Sequence, residues 1–411
     1  MTLHHQVFLY IHLQGMRSDN QASDAHQPSL QQRTHIYFDA LLSHLEFWRD
    51  YFNRHHLKLA GLNLGGDSAS LYDREYQPLF RLLQPLLCQD TQVSLEVSPG
   101  DITVTRLKEW RHLGVHRLGV VVHTFNPKLL DAVGATWASQ HILHALRSAR
   151  NTFEQVGVDL TYGIPGQSLS DFEQCLSTAL SYGVDQLSLS SYYQPLADSS
   201  SQGIDEHTNP SLPLPSLGEQ LTPYYECARQ KLKKSGFYHE ELTHFSRTHT
   251  SVLYWLKGSY VAIGGDGHSF LDNNVAGFID EVPEYGLRYA LPATLLPLHQ
   301  MPTTVNDYLK QAKAIIDMRD RESVFMEHLL IYLRTSSGVS LGYLQDVSQR
   351  SPQWSFFIRE QIAQKLIICS SNRLTLDPSL WFDEYLYIDE ILKSFGYQPC
   401  SSSDIDLHSS T

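Results

Sequence analysis

Short apolar runs alternate along this chain with longer segments whose apolar residues recur at helical spacing. The first run, Val7–His12, is long enough for one buried strand. Between Ile36 and Phe52, Phe38, Leu41, Leu42, Leu45, Trp48 and Phe52 fall on one face of a helix. The alternation then repeats. Strands are expected over Leu57–Leu64, Val93–Val97, Arg117–Val122, Val158–Thr161 and Gln186–Ser190. Helices are expected over about Tyr76–Leu87, Thr103–His112, Pro127–Val133 with Ser139–Gln155, and Asp171–Tyr182. Six strand–helix units in series predict parallel strands with helices outside. A barrel, open or closed, and a doubly wound sheet both satisfy that pattern.

The second half reads differently. Ala197–Glu219 is rich in Ser and Pro and predicts a long loop, followed by an amphipathic helix over Gln220–Lys234 with Gly236 as its C-cap. Extended pieces are expected at Tyr238–Phe245 and Tyr260–Ile263, the second running into Gly264-Gly265-Asp266-Gly267-His268. After about Gln300 the pattern becomes helical, at Thr304–Met318, Glu322–Arg334, Leu341–Gln345 and Trp354–Lys365, and closes in a hairpin around Leu366–Leu376. The polar tail from Pro399 predicts disorder. The expected division is a barrel core over 1–196, an extension packing on it over 197–300, a small helical, winged-helix-like domain over 301–398, and a disordered tail over 399–411.

Charge narrows the function classes. The net charge is −13, and nucleic-acid or anionic-membrane binding needs local basic excess, so neither is expected. No apolar run approaches the length that spans a bilayer, and the N-terminal run lacks the basic start and length of a signal segment. The chain reads as a cytoplasmic protein. Its five cysteines, Cys88, Cys175, Cys227, Cys369 and Cys400, fit reduced thiols and have no metal-ligand spacing. Most of the 21 histidines are expected on the solvated surface.

Polar groups recur where the strands end, and barrel and open-sheet ligands sit at such ends. Gly65-Gly66-Asp67-Ser68-Ala69-Ser70 follows the second strand, and paired glycines let a backbone approach a ligand. Glu96 closes the third strand, His123 and Thr124 follow the fourth, and Asp159 lies in the fifth. Tyr10, Gly66, Glu96, His123 and Asp159 are expected around one mouth at the C-terminal strand ends.

The ordered series FLYIHL, LGGDSASL, LEVSPGD, GVHRLGVVVHTF, VDLTYGIPGQS, YHEELTHFS and YWLKGSYVAIGGDGHS resembles the radical S-adenosylmethionine (SAM) family that contains oxygen-independent coproporphyrinogen III oxidase. It is most similar to that family's haem-chaperone branch. The resemblance runs from about Phe8 to Ile391. It implies an α/β fold, an incomplete (β/α)6 radical-SAM-type barrel with a small C-terminal helical, winged-helix-like domain. It also implies cofactor contacts by Tyr10, Gly65, Gly66, Ser68, Glu96, His123 and Asp159. Glu241, Tyr254, Trp255 and His268 are further retained positions.

The departures bear on chemistry. In the family, the loop after the first strand carries three cysteines that hold a [4Fe–4S] cluster, with one iron left open for adenosylmethionine. Those positions here hold Met16, Asn20 and Ser23, which cannot replace thiolates at iron. The family's glutamine and arginine become His123 and Ala135, its third glycine in that motif becomes Asp67, and its haem-associated His-Asn becomes Thr250-Ser251. The expectation is therefore a member without its cluster and without radical catalysis, a binding or regulatory protein related to haem and porphyrin metabolism. Candidate ligands are a haem or porphyrin and adenosylmethionine, beside a protein partner. The alternatives are a cluster-independent enzyme acting on a tetrapyrrole or on adenosylmethionine, using Glu96, His123 and Asp159 in acid–base roles, and a haem-binding chaperone.

Overall fold

The computed structural model describes residues 6–13, 30–66, 76–192, 214–248, 259–271, 286–317, 332–333, 335–340, 342, 367–370 and 372–376. The chain divides into two units. The first comprises Met1–Pro195, Glu226–His239 and Thr243–Val324; the second comprises Leu196–Tyr225, Glu240–Leu242 and Phe325–Thr411.

The first unit is built on one twelve-stranded sheet. Its centre is six parallel strands in chain order: β1 (Gln6–Leu13), β2 (Lys58–Gly66), β3 (Gln92–Val97), β4 (Arg117–His123), β5 (Gln155–Tyr162) and β6 (Gln186–Ser191). The helices between them are α1 (Leu30–Arg54), α2 (Tyr76–Leu83), α3 (Val104–His112), α4 (Pro127–Leu130), α5 (Ser139–Thr152) and α6 (Leu169–Ser181). This is the mixed α/β fold that the periodicity predicts. Local chemistry starts the helices. Thr103 caps α3 by accepting from the Arg106 N–H. Ser168 and Asp171 form a reciprocal capping box at the head of α6.

Beyond β6 lie α7 (Leu214–Lys234), β7 (Tyr238–His239) and β8 (His244–Ser246), with β8 antiparallel to β6. At the other edge β9 (Tyr260–Ile263) runs parallel to β1, and β10 (His268–Leu271), β11 (Leu287–Ala290) and β12 (Ile315–Asp317) continue antiparallel. The sheet must curl. Tyr10 on β1 and Ser188 on β6 face one cavity, yet five strand steps at about 4.8 Å each would put them roughly 24 Å apart on a flat sheet.

Four elements depart from the sequence pattern. Helix α7 begins at Leu214, inside the expected loop, and carries Pro223 within it. Strands β10 and β11 were not anticipated. The helix expected over Thr304–Met318 is only α8 (Val305–Gln311), because Lys313 takes a positive φ of 52° and the chain turns into β12.

Aromatic packing locks the last of these pieces onto α1. Phe47 stacks on Tyr308 with centroids 4.5 Å apart, and Trp48 meets the same ring edge-on at 5.3 Å. His44 is fully buried beside them. Its Nε2–H donates to the Leu296 carbonyl at 2.9 Å and its Nδ1 lies 2.9 Å from the Tyr308 hydroxyl. Burial pushes its pKa down to about 4, so it is neutral at pH 7.

In the second unit, β14 (Ile367–Ser370) and β15 (Arg373–Leu376) form an antiparallel hairpin, and β15 also pairs with β13 (Val339–Ser340). The helices expected over Glu322–Arg334, Leu341–Gln345 and Trp354–Lys365 fall almost wholly outside the described residues, as does the tail from Pro399. No helix among the described residues is long and apolar enough to cross a membrane.

The aromatic seam predicts where stability resides. Trp48→Ala should cost about 3–5 kcal/mol, the usual range for emptying a large buried aromatic site. Urea unfolding of the variant against the parent measures this; a loss well below 1 kcal/mol would contradict the packing described.

Candidate functional site

The inward faces of the central strands are polar, and their register brings them together. Tyr10 of β1 pairs across to Asn63, Ser94 and Arg117 on successive strands. In the next row Glu96 pairs to Gly119, Gly157 and Gln186. A third row runs from Asp159 to Ser188 and His244. These rows enclose a cavity of about 240 Å³.

Glycines make room for it. A Cβ on Gly65 would lie 2.5 Å from a Glu96 carboxylate oxygen and 3.1 Å from the Tyr10 hydroxyl. A Cβ on Gly119 would lie 3.3 Å from Glu96 Cγ. Any side chain at these positions would occupy the place of the Glu96 carboxyl or of the cavity.

Two carboxyls share this interior. Burial and the neighbouring Asp159 charge raise the Glu96 pKa to about 7, against the pull of Arg117 and His244. Burial likewise raises Asp159, opposed by a hydrogen bond from the Ser188 hydroxyl and by the charges of His244, Arg117 and His123. Two like charges in low dielectric do not both ionise readily, so the two carboxyls titrate as a linked pair. Arg117 donates from Nη1 to Gln186 Oε1 at 2.6 Å, which aims its guanidinium across the floor. His244 Nδ1 lies 2.9 Å from Thr243 Oγ1.

The structure thus gathers Tyr10, Gly65, Glu96 and Asp159 around one cavity. It does not gather the others there. Gly66 holds φ 125° at the end of β1–β2 pairing, where a Cβ would collide with the Leu13 carbonyl. It packs against His12, whose Nδ1 lies 2.8 Å from the Gly265 carbonyl while Tyr37 donates to the His12 carbonyl at 2.7 Å. His123 sits one layer up at the end of β4, on a register bulge with φ 62°, its Nδ1 3.0 Å from Thr161 Oγ1. Burial lowers its pKa and the Asp159 charge opposes that. Ser68, Met16, Asn20, Ser23, Thr250 and Ser251 lie outside the described residues.

The cavity is also deeper than the expected mouth. Arg117 and Gln186 are the first residues of their strands, so the site extends down inside the barrel. Sequence reasoning did not place Arg117, Gln186, Ser188 or His244 in this cavity. The signal was present in the alternation of small or polar with apolar residues in RLGVV, QVGVDL and QLSLS, which marks a polar inner face.

The curled parallel sheet and its polar interior define a radical-SAM-type barrel. Comparison with known proteins agrees. The Radical SAM superfamily matches residues 48–179. The chain is 26% identical over 324 residues to the heme chaperone HemW of Bacillus subtilis (strain 168), covering 75% of this chain and 78% of that one. It is 28% identical to the mitochondrial radical S-adenosyl methionine domain-containing protein 1 of Mus musculus, over 68% of this chain and 62% of the relative. The structure of coproporphyrinogen III oxidase (HemN) from Escherichia coli superposes with a TM-score of 0.65 at 17% identity, covering 96% of this chain and 91% of the other, which is likeness of fold. Together these likenesses support a HemW/HemN-like protein of the radical SAM family.

The raised Glu96 pKa sets a pH dependence. The folded value, about 7, lies above the ordinary 4.5, so the stabilisation tied to its protonated form is whole below about pH 4.5 and is lost as pH rises through about 7. The slope is at most about 1.4 kcal/mol per pH unit. Glu96→Gln removes this dependence. Its stability relative to the parent should therefore rise between about pH 5 and about pH 8 in urea titrations; a constant difference would mean that Glu96 ionises freely in the folded chain.

Proposed function

We propose that the chain is a non-catalytic binding or regulatory protein related to haem and porphyrin metabolism, descended from radical SAM enzymes but without their cluster. The observation that carries this is the donor set. The three cluster positions hold Met16, Asn20 and Ser23, and the sequence contains no cysteine before Cys88. A thioether, an amide and a hydroxyl do not hold iron as three thiolates do. The described thiols do not substitute for them. Cys88 is exposed near the start of β2, with Sγ 3.9 Å from the Leu59 carbonyl; Cys175 is buried in α6 against Thr124; Cys227 is on α7. The residues present do not fit a [4Fe–4S] cluster, and reductive opening of adenosylmethionine has no source of electrons without one.

The ligand class follows from ancestry. The Bacillus subtilis relative is named a heme chaperone, which supports a haem or porphyrin as the ligand class of this chain. The family's haem-associated residues are nevertheless replaced at Thr250 and Ser251, and His268 is exposed on β10. One observation favours a second reading. A carboxyl held near neutrality beside another in a cavity is a common setting for acid–base chemistry. On that reading the chain is a cluster-independent enzyme acting on a tetrapyrrole or on adenosylmethionine, with Glu96, His123 and Asp159 moving protons.

Two experiments test the proposal. Met16→Cys with Asn20→Cys and Ser23→Cys, reconstituted with iron and sulfide, should show cluster absorbance but form no 5′-deoxyadenosine above background. Ala135 still lacks the family's guanidinium, and Asp67 still adds a carboxylate. Cleavage of adenosylmethionine by the unmodified protein would overturn the proposal.

Haemin titration is the second. It should give a Soret band weaker than that of a cluster-bearing heme chaperone. A strong band that disappears in His268→Ala would assign the chain chaperone-type haem binding instead.

A further inference from the structure

The twelve-stranded sheet ends at β12, which pairs with β11 on one side and with no strand on the other among the described residues. The outward N–H and C=O groups of such an edge are left to water or to another chain. Folds usually protect an edge with a charge, a proline or a bulge in the strand. Here the run at the edge is Ala314-Ile315-Ile316. Successive strand residues point to opposite faces of a sheet. Ile315 is 55% exposed and Ile316 is 45% exposed, so β12 is uncovered on both faces. Of the nine large apolar residues exposed among the described residues, Leu296, Met301, Ile315 and Ile316 fall in the one stretch 296–316. Single exposed residues of this kind are ordinary, whereas a group of them beside an open sheet edge is the setting of an interaction site. The opposite edge offers less, since β7 is only Tyr238–His239.

We propose that β12 is a homodimer contact, at which two copies of the chain pair antiparallel, edge to edge, about a two-fold axis at Ile315. The occupant follows from the strand's own sequence, which is complementary to itself. An axis at Ile315 sets Ile315 against its own copy and Ala314 against Ile316, so each of these pairs is apolar. At either end it brings the exposed Lys313 beside Asp317 of the partner subunit, a cation against an acid. Moving the axis by one residue would set Ile315 against Asp317 in one direction and against Lys313 in the other. The same edge serves both copies, so the assembly stops at two. So short a strand pair buries less than the roughly 1,200–2,000 Å² of a standard interface, so the pairing depends on concentration. This contact belongs to the sheet edge and stands apart from the ligand and cluster readings above.

Sedimentation velocity of the full chain from about 1 µM to about 300 µM tests this. The parent should pass from monomer to dimer across that range. Ile315→Lys with Ile316→Lys, checked for folding by circular dichroism, sets like charges across the two-fold axis and should stay monomeric throughout. Cross-linking gives a second measurement. Opposed residues of an antiparallel pair have Cα atoms about 4.5–5.5 Å apart, within disulfide reach. Ile315→Cys should therefore form a covalent dimer under mild oxidation, whereas the parent and Val104→Cys, at an exposed position on α3, should not. This comparison decides the matter should the double lysine variant fail to fold.

A parent that remains monomeric at about 300 µM would overturn the proposal. Maleimide labelling of Ile315→Cys would then tell an edge open to a different protein from one covered by the chain's own residues. A dimer that survives the double lysine substitution would also overturn it, as would one that Val104→Cys links as readily as Ile315→Cys.

Discussion

The structure depends on burying two carboxyls inside a curled sheet. Glu96 and Asp159 would each be expensive to enclose as ions. The fold reduces that cost in three ways. Arg117 and His244 set opposing charge nearby, Ser188 donates to Asp159, and the two carboxyls titrate as a linked pair. Room for the carboxyls comes from Gly65, Gly119 and Gly157, which replace the branched side chains that would otherwise fill a barrel. A barrel emptied at its centre cannot draw its stability from there. It comes from the outer layer, where Leu95, Val97, Val120 and Leu187 point away from the cavity and are buried. The seam of Phe47, Trp48 and Tyr308 extends that layer across α1 and α8.

Much of this was legible in the sequence, for physical reasons. The six βα units declare themselves because a parallel strand buried under helices needs a continuous apolar run, and a helix outside it needs a single apolar face. Tyr10, Glu96 and Asp159 stand out as polar residues inside such runs. His123 stands out only by position, and its bulge and positive φ require coordinates. The RLGVV alternation puts Arg117 on the polar inner face, but its meeting with His244 across one cavity depends on the curvature of the sheet, which no local pattern encodes. Helix α7 was expected from Gln220, Pro223 included, while its start at Leu214–Glu219 read as loop because of its Pro and Ser content. Strands β10, β11 and β12 are only three or four residues long, too short for a periodicity to register.

The pattern of change along the chain has a consistent sense. Barrel-interior positions keep the residue types that the resemblance implies, and the positions that correspond to the cluster and haem ligands do not. The first group is held by packing, since a side chain on Gly65 or Gly119 would collide with Glu96 whatever the protein does. On the proposed reading, in which neither a cluster nor a haem ligand set is needed, the second group, Met16, Asn20, Ser23, Thr250 and Ser251, is free to change. On that reading the fold keeps a polar interior that serves binding without radical chemistry.

The central claim is that no iron–sulfur cluster assembles on this chain. The most direct measurement is the iron and acid-labile sulfide content of protein purified anaerobically and then reconstituted with iron and sulfide. The account predicts neither in stoichiometric amount and no cluster absorbance. Four irons and four sulfides per chain, retained through gel filtration, would contradict it.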